Sequence, residues 1–129
     1  MSPSQAPRWC EGGCHCGGVR FRAQIRSSAA LACNCSICEM TGHVHHIVEM
    51  ADFELVEGGE LLTTYRFGSG RAKHTFCSRC GIKAFYTPRS HPDGISVNVR
   101  CLDSEQIRRS FDIDPFDGRN WEENSESMR

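Results

Sequence analysis

The sequence lacks any long apolar run. Residues 1–8 contain no apolar segment of the kind found in secretory signals, and no later stretch approaches the length of a transmembrane span. We therefore expect a cytoplasmic protein that binds no membrane. In such a reducing compartment, closely spaced cysteines are metal ligands more often than disulfide partners.

A strong net charge is also missing. The 129 residues carry a formal charge of −1, divided into +3 over residues 1–102 and −4 over residues 103–129. The N-terminal arm holds one arginine in its first dozen residues. Because nucleic-acid binding depends on a concentrated basic surface, the sequence does not predict a nucleic-acid partner.

Helical periodicity is nearly absent. Apolar and polar residues alternate over residues 19–26, which predicts a half-buried strand. Further short strands are predicted at residues 29–33, 43–49, 53–56, 61–67, 72–76, 82–87 and 95–101. The turn signal at residues 57–60 predicts that its two flanking strands form a hairpin. Without helices between strands, the predicted fold class is mainly β and antiparallel.

One short helix is expected near the C-terminus, where Asp103 would be the N-cap and Gln106 would occupy the third helical position. Residues 1–9 are predicted to be a loose arm, residues 10–121 a single domain and residues 122–129 an acidic tail. Trp121 is expected to pack back on the domain. The chain is thus one small domain in which metal ions would contribute to stability.

What the sequence does contain is cysteine, at nine positions. Cys33, Cys35 and Cys38 lie within six residues, a spacing that lets three sulfurs turn toward one zinc ion. Structural zinc sites use four protein ligands, whereas catalytic sites use three and keep one position open. The count of three predicts a site with an open position. The alternative is a closed site whose fourth ligand comes from elsewhere in the chain.

Two further pairs of cysteines are half-sites about sixty residues apart. Cys14 with Cys16, and Cys77 with Cys80, together supply four thiolates for a closed, structural zinc. Spacing alone also allows Cys14 and Cys16 to join the Cys33 group. Two zinc ions held by seven thiolates would cancel the positive excess of residues 1–102.

Histidines near these motifs are the other candidate ligands or acid–base groups. These are His43, His45, His46 and His74. In a strand, His43 and His45 would share one face and His46 the other, so at least one of them is expected to be a core residue. Cys10 is interpreted as a free thiol, and Cys101 as a small buried residue because it has the phase of Ile95, Val97 and Val99.

Three stretches resemble the glutathione-dependent formaldehyde-activating enzyme and centromere protein V family. They are residues 13–17 (Gly-Cys-His-Cys-Gly), residues 33–38 (Cys-Asn-Cys-Ser-Ile-Cys) and residues 75–103, which contain the pair Cys77 and Cys80. The resemblance implies an antiparallel β-tent fold. It also implies a structural zinc at Cys14, Cys16, Cys77 and Cys80 and a second, catalytic zinc at Cys33, Cys35 and Cys38.

The resemblance further implies a carbon–sulfur lyase activity that combines formaldehyde with glutathione, or releases it. Zinc held by three thiolates is a weak Lewis acid toward water and accepts a soft thiol ligand, which agrees with this chemistry. His45 is the named candidate for an acid–base partner. Two alternatives remain open: a non-catalytic zinc module for protein interaction, whose second site is closed by a histidine or Cys101, and a redox or metal-buffering role for the three-cysteine group.

Overall fold

The computed structural model describes residues 8–68, 70–88, 91 and 93–117. Over these residues the chain forms ten strands and two short helices. The strands are β1 (Arg8–Gly13), β2 (Arg20–Ile25), β3 (Ala29–Cys33), β4 (Val44–Glu49), β5 (Phe53–Glu57), β6 (Leu62–Tyr65), β7 (His74–Cys77), β8 (Phe85–Tyr86), β9 (Gly94–Asn98) and β10 (Asp112–Phe116). The helices are α1 (Ser36–Thr41) and α2 (Glu105–Arg109). The mainly β fold class is confirmed.

The strands form three sheets. Their orders are β1-β2-β5, β10-β3-β4-β9-β8 and β6-β7. All pairings are antiparallel except that of β10 with β3, which is parallel. The purely antiparallel prediction is wrong for this pair. A parallel pair needs a long crossover, and the whole chain between β3 and β10 supplies it.

The core lies between the first two sheets. The alternation predicted for β2 is confirmed, because Phe21, Ala23 and Ile25 are buried while Arg22 is exposed. The Phe21 ring stacks on Phe53 of β5 at 5.7 Å and meets the edge of Phe85 of β8 at 5.8 Å. These aromatic contacts join the two sheets into one hydrophobic core.

The predicted hairpin of residues 53–67 does not form. Strand β5 pairs with β2, and β6 pairs with β7. At Gly58 the backbone has φ of +92°, and a Cβ there would lie 2.2 Å from the carbonyl oxygen of Gly18. Glycine is therefore required where the chain turns past the β1–β2 loop, and this close approach directs β6 away from β5.

Both ends of the described chain differ from the sequence interpretation. Strand β1 begins at Arg8, inside the stretch expected to be a loose arm, because it pairs along its whole length with β2. The N-cap of α2 is Ser104 and not Asp103: the Ser104 hydroxyl accepts a hydrogen bond from the Ile107 N–H at 3.2 Å. Asp103 instead pairs with Arg20. Trp121 and the tail lie outside the described residues, and the domain limits stay a prediction.

Candidate metal centres

The first cysteine cluster joins two loops that are distant in sequence. Cys14 and Cys16 lie between β1 and β2, Cys77 ends β7, and Cys80 lies in the turn that follows. The four sulfurs lie within 4.8 Å of one another. Cys14 Sγ is 3.6 Å from Cys16 Sγ, which is 3.7 Å from Cys77 Sγ. Tetrahedral zinc with bonds of about 2.3 Å requires sulfur separations of roughly 3.8 Å, so the donor set fits this ion.

The backbone around this cluster supports thiolate charge. The Val19 N–H points to Cys14 Sγ at 3.3 Å, and the Arg79 N–H points to Cys77 Sγ at 3.4 Å. Burial opposes ionisation of Cys80, but backbone N–H groups and the neighbouring Cys14 and Cys77 lower its pKa to about 6. The structure thus assembles the four predicted residues, and Cys14 and Cys16 do not join the Cys33 group. Metal binding by them stays a prediction.

The second cluster is local in sequence. Cys33 ends β3, Cys35 is the N-cap residue of α1, and Cys38 lies in the first turn of that helix. The three sulfurs lie within 4.8 Å of one another. Hydrogen bonds with Cys33 and Cys38 lower the pKa of Cys35 to about 2. Hydrogen bonds with Cys33 and Cys35, together with burial, raise the pKa of Cys38. One thiolate is therefore stabilised here even without a metal.

No fourth donor completes this cluster among the described residues. The group of ligand-type atoms within 4.8 Å of one another contains three sulfurs and no histidine nitrogen or carboxylate oxygen. His45 lies beside the cluster, with its Nε2 3.2 Å from Cys38 Sγ. His45 thus contacts one thiol of the cluster without joining it as a common ligand.

The other ring nitrogen of His45 contacts two hydroxyl groups. His45 Nδ1 lies 2.8 Å from the Ser96 hydroxyl and 3.3 Å from the Tyr86 hydroxyl, both of which can donate a proton. Burial and the charge of Lys83 lower the pKa of His45 to about 4, so the ring is neutral at pH 7. When Nδ1 accepts from these hydroxyls, the ring proton is on Nε2 and can be donated to Cys38 Sγ.

A second buried group lies behind Tyr86. Lys83 Nζ is 3.0 Å from His74 Nδ1 and 4.2 Å above the centre of the Tyr86 ring. The His74 ring stacks on Tyr86 at 4.8 Å with an angle of 13° between planes. Burial lowers the pKa of Lys83, and the three thiols of the second cluster act against that shift. Burial and the negative charge of the thiolates raise the pKa of Tyr86.

The four candidate histidines therefore differ in position. His45 contacts the second cluster. His43 lies behind it: its Nε2 is 3.2 Å from Ser96 Oγ, and its ring lies 4.5 Å from that of His45. His74 pairs with Lys83. His46 lies on the opposite face of β4, where its Nδ1 donates to the Ala29 carbonyl at 2.7 Å. One of the four thus contacts the predicted metal ligands directly.

Sequence reasoning missed three polar residues of this site. These residues are Tyr86, Lys83 and Ser96, none of which carries a recognisable motif in the sequence. Ser96 lies between Ile95 and Val97, in the phase of a solvent-facing residue, yet it is fully buried. The reason is that β9 is covered on both faces, which alternation within one strand does not reveal. Two cysteines, Cys10 and Cys101, belong to neither cluster, and burial raises the pKa of both.

No helix in the described part of the chain is long and apolar enough to cross a membrane. The fold and the site define a mainly β protein with two separate cysteine clusters, each suited to a metal ion. Residues 9–114 match the family described as glutathione-dependent formaldehyde-activating enzyme. The chain belongs to this family, as its motifs indicated.

Two relatives illustrate the similarity. A protein of Halomonas elongata named "Putative glutathione-dependent formaldehyde-activating enzyme" is 32% identical over 108 residues, which cover 76% of this chain and 68% of the relative. The crystal structure of a Rhodobacter sphaeroides protein is 34% identical and superposes with a TM-score of 0.75. That superposition covers 82% of this chain and 99% of the other.

Proposed function

We propose that the protein catalyses the reversible addition of glutathione, or a related small thiol, to formaldehyde or another small aldehyde. This is a carbon–sulfur lyase type of reaction. The observation that carries the proposal is the cluster of Cys33, Cys35 and Cys38, which has no fourth sulfur and adjoins buried polar side chains. The family match supports the choice of thiol and aldehyde.

In this proposal Cys33, Cys35 and Cys38 hold a zinc ion, and the four-cysteine cluster holds a second one. Zinc held by three thiolates supplies a position at which a substrate thiol binds as its thiolate. His45 donates its Nε2 proton to Cys38 and so keeps that sulfur ionised and oriented. Ser96 and Tyr86 fix the His45 ring in the required tautomer. Burial of these groups excludes water from the proton donors.

A second candidate is a non-catalytic zinc module in which a histidine completes the second site. The 3.2 Å approach of His45 Nε2 to Cys38 Sγ favours this candidate, because a small rotation would present that nitrogen to a bound ion. We also propose that the protein is cytoplasmic, that it has no nucleic-acid partner and that its domain covers residues 10–121.

The test compares the zinc-loaded protein with its Cys35→Ser variant. Exchange NMR on mixtures of glutathione and ¹³C-formaldehyde measures the rate at which the adduct forms and dissociates. We expect the wild type to accelerate this exchange, and the variant to lose the effect. Zinc X-ray absorption, with and without glutathione, identifies the fourth ligand. A nitrogen ligand that glutathione does not displace, together with an unchanged exchange rate, would favour the non-catalytic module.

A further inference from the structure

A cavity of about 620 Å³ lies between β3 and β4, at the end of these strands that is remote from the second cysteine cluster. Strand β4 pairs with β9 over residues 45–49, but it pairs with β3 at only two positions. The strands β3 and β4 therefore separate toward the start of β3. About 13 Å of extended chain divides Ala29, in the cavity wall, from Cys33 in the cluster. The cavity is a separate site.

A side chain takes the place of backbone pairing where the two strands separate. Continued antiparallel pairing would bring Ala29 opposite Ile47, but the Ala29 carbonyl instead accepts a hydrogen bond from His46 Nδ1 at 2.7 Å. A Cβ on Gly94 of β9 would lie 3.0 Å from the Val48 carbonyl oxygen, so that carbonyl faces β9. Successive residues of a strand direct their N–H and C=O groups to opposite sides, so those of Ile47 face the cavity. No described strand pairs with this edge.

The charged groups of the cavity are carboxylates. Glu49 and Asp93 line it, and no ion pair found among the described residues includes either of them. Glu49 also attracts Arg26, but that guanidinium is held by Asp52 through hydrogen bonds of 2.8 and 3.0 Å. Among the described residues that line the cavity there is no lysine or arginine. With neutral histidines, the charge of the cavity is therefore negative.

A buried acceptor adds to the two carboxylates. His46 is 5% exposed and lines the same cavity. Because its Nδ1 donates to the Ala29 carbonyl, the neutral ring has an acceptor at Nε2, and no hydrogen bond to Nε2 is found among the described residues. Buried polar atoms are normally paired, so this acceptor indicates a ligand with donors. Ala30, Ile47 and Val48 supply an apolar part of the wall.

The acceptors of the cavity do not converge on one point. In the described part of the chain, Glu49, Asp93 and His46 form no group of three ligand atoms within 4.8 Å of one another. A metal ion or a single ammonium nitrogen therefore cannot contact all of them at once. A guanidinium group can serve separated acceptors, because it directs five N–H donors outward in one plane.

We propose that the cavity binds a guanidinium group carried on a short hydrocarbon chain. The guanidinium donates to the carboxylates of Glu49 and Asp93, to His46 Nε2 and to the Ile47 carbonyl, and its charge offsets theirs. The hydrocarbon chain packs on the apolar part of the wall, and the volume is in the range usual for small-molecule sites. This inference goes beyond the proposed function, because the site is remote from the second cluster and needs no metal.

The first test uses the ¹⁵N-labelled, zinc-loaded wild type and needs no variant. With butylguanidinium as the probe, we expect saturable shifts of the amide NMR signals of residues 29–31, 46–49 and 94, and none at either cysteine cluster. Butyltrimethylammonium, which has the charge but no N–H donor, and n-butanol, which has only the chain, should leave these signals unmoved. n-Butylammonium should bind about tenfold more weakly, because it makes fewer charge-assisted hydrogen bonds. Shifts scattered over the surface, or equal binding of butylguanidinium and butyltrimethylammonium, would overturn the inference.

The second test removes one carboxylate charge with little change of shape. For Asp93→Asn we expect the dissociation constant of butylguanidinium to rise about tenfold or more, because a charge-assisted hydrogen bond is lost. Asp114→Asn is the matched control, since Asp114 is also exposed but lies on β10, outside the cavity. An unchanged constant for Asp93→Asn, or an equal rise in both variants, would show that the inference is wrong. Neither test measures thiol–aldehyde exchange, so their failure would leave the proposed function standing.

Discussion

The two cysteine clusters of this protein are built in opposite ways. Cys14 and Cys16 meet Cys77 and Cys80 across about sixty residues, and their sulfurs contact backbone N–H groups and one another. The second cluster spans six residues, and a histidine side chain reaches Cys38 from a neighbouring strand. Backbone donors stabilise charge without adding chemistry, whereas a histidine–hydroxyl network can respond to a ligand. The difference separates a cluster suited to holding the fold from one suited to reacting.

The difference also concerns which parts of the fold each cluster connects. The four-cysteine cluster joins the β1–β2 loop to the end of β7, and so couples two sheets. The three-cysteine cluster joins the end of β3 to the helix that follows directly. Loss of the four-cysteine cluster should therefore uncouple two sheets. Loss of the three-cysteine cluster should disturb only the short connection between β3 and α1.

The largest effect is expected for Cys77→Ser. Cys77 is fully buried, and a structural zinc contributes about 10–16 kcal/mol in small metal-dependent domains, which matches or exceeds the whole stability of a typical domain. The variant should fail to fold, as seen by loss of the cooperative thermal transition in circular dichroism. Cys101→Ser, outside both clusters, is the control and should melt cooperatively. A cooperatively folded Cys77→Ser protein would contradict a structural role for this cluster.

An intermediate effect is expected for Cys35→Ser. Cys35 is the N-cap of α1, and serine is a favoured residue at that position, so the helix should form normally. We expect zinc content to fall from two ions to one per chain, with the fold retained and thiol–aldehyde exchange abolished. Elemental analysis measures the zinc content, circular dichroism the fold, and exchange NMR the rate of thiol–aldehyde exchange. Loss of both ions, or of the fold, would mean that the clusters do not differ as described.

The smallest effect is expected for Ser96→Ala. The Nδ1 atom of His45 loses its 2.8 Å hydrogen bond to Ser96 and keeps the longer one to Tyr86. Because such supporting contacts tune metal ligands, zinc affinity at the second cluster should fall about 10-fold, as measured by competition with a chelator. Ser104→Ala, which removes the α2 cap, should instead lower stability by about 1 kcal/mol and leave zinc affinity unchanged. Equal zinc affinities for the two variants would show that His45 does not act on the second cluster.

The sequence predicted the two clusters better than it predicted the sheets. Cysteine spacing reports ligand geometry directly, and the alternation in β2 reports its buried face. Strand partners depend on contacts far along the chain, so the pairing of β5 with β2 could not be read from the turn at residues 57–60. Helix α1 has six residues, which is too short for a helical period to appear.

The polar residues beside the second cluster could not be predicted from the sequence for a related reason. Tyr86 belongs to an aromatic segment that alternation assigns to the core, and it is indeed buried. Its role depends on the position of its hydroxyl next to His45, and only the three-dimensional structure determines that position. No motif around Lys83 indicates a role. Only its residue type is unusual, because thirteen of the fifteen basic residues are arginine.

The long separation within the four-cysteine cluster also determines an order of events during synthesis. A growing chain contains every ligand of the three-cysteine cluster once residue 38 has been added, but Cys14 and Cys16 have no partners until residue 80. The cluster that couples the sheets is therefore completed last. Until then the ribosome carries a chain in which Cys14 and Cys16 lack their partners and are open to oxidation; if the cluster holds zinc as proposed, they are also open to a wrong metal at this stage.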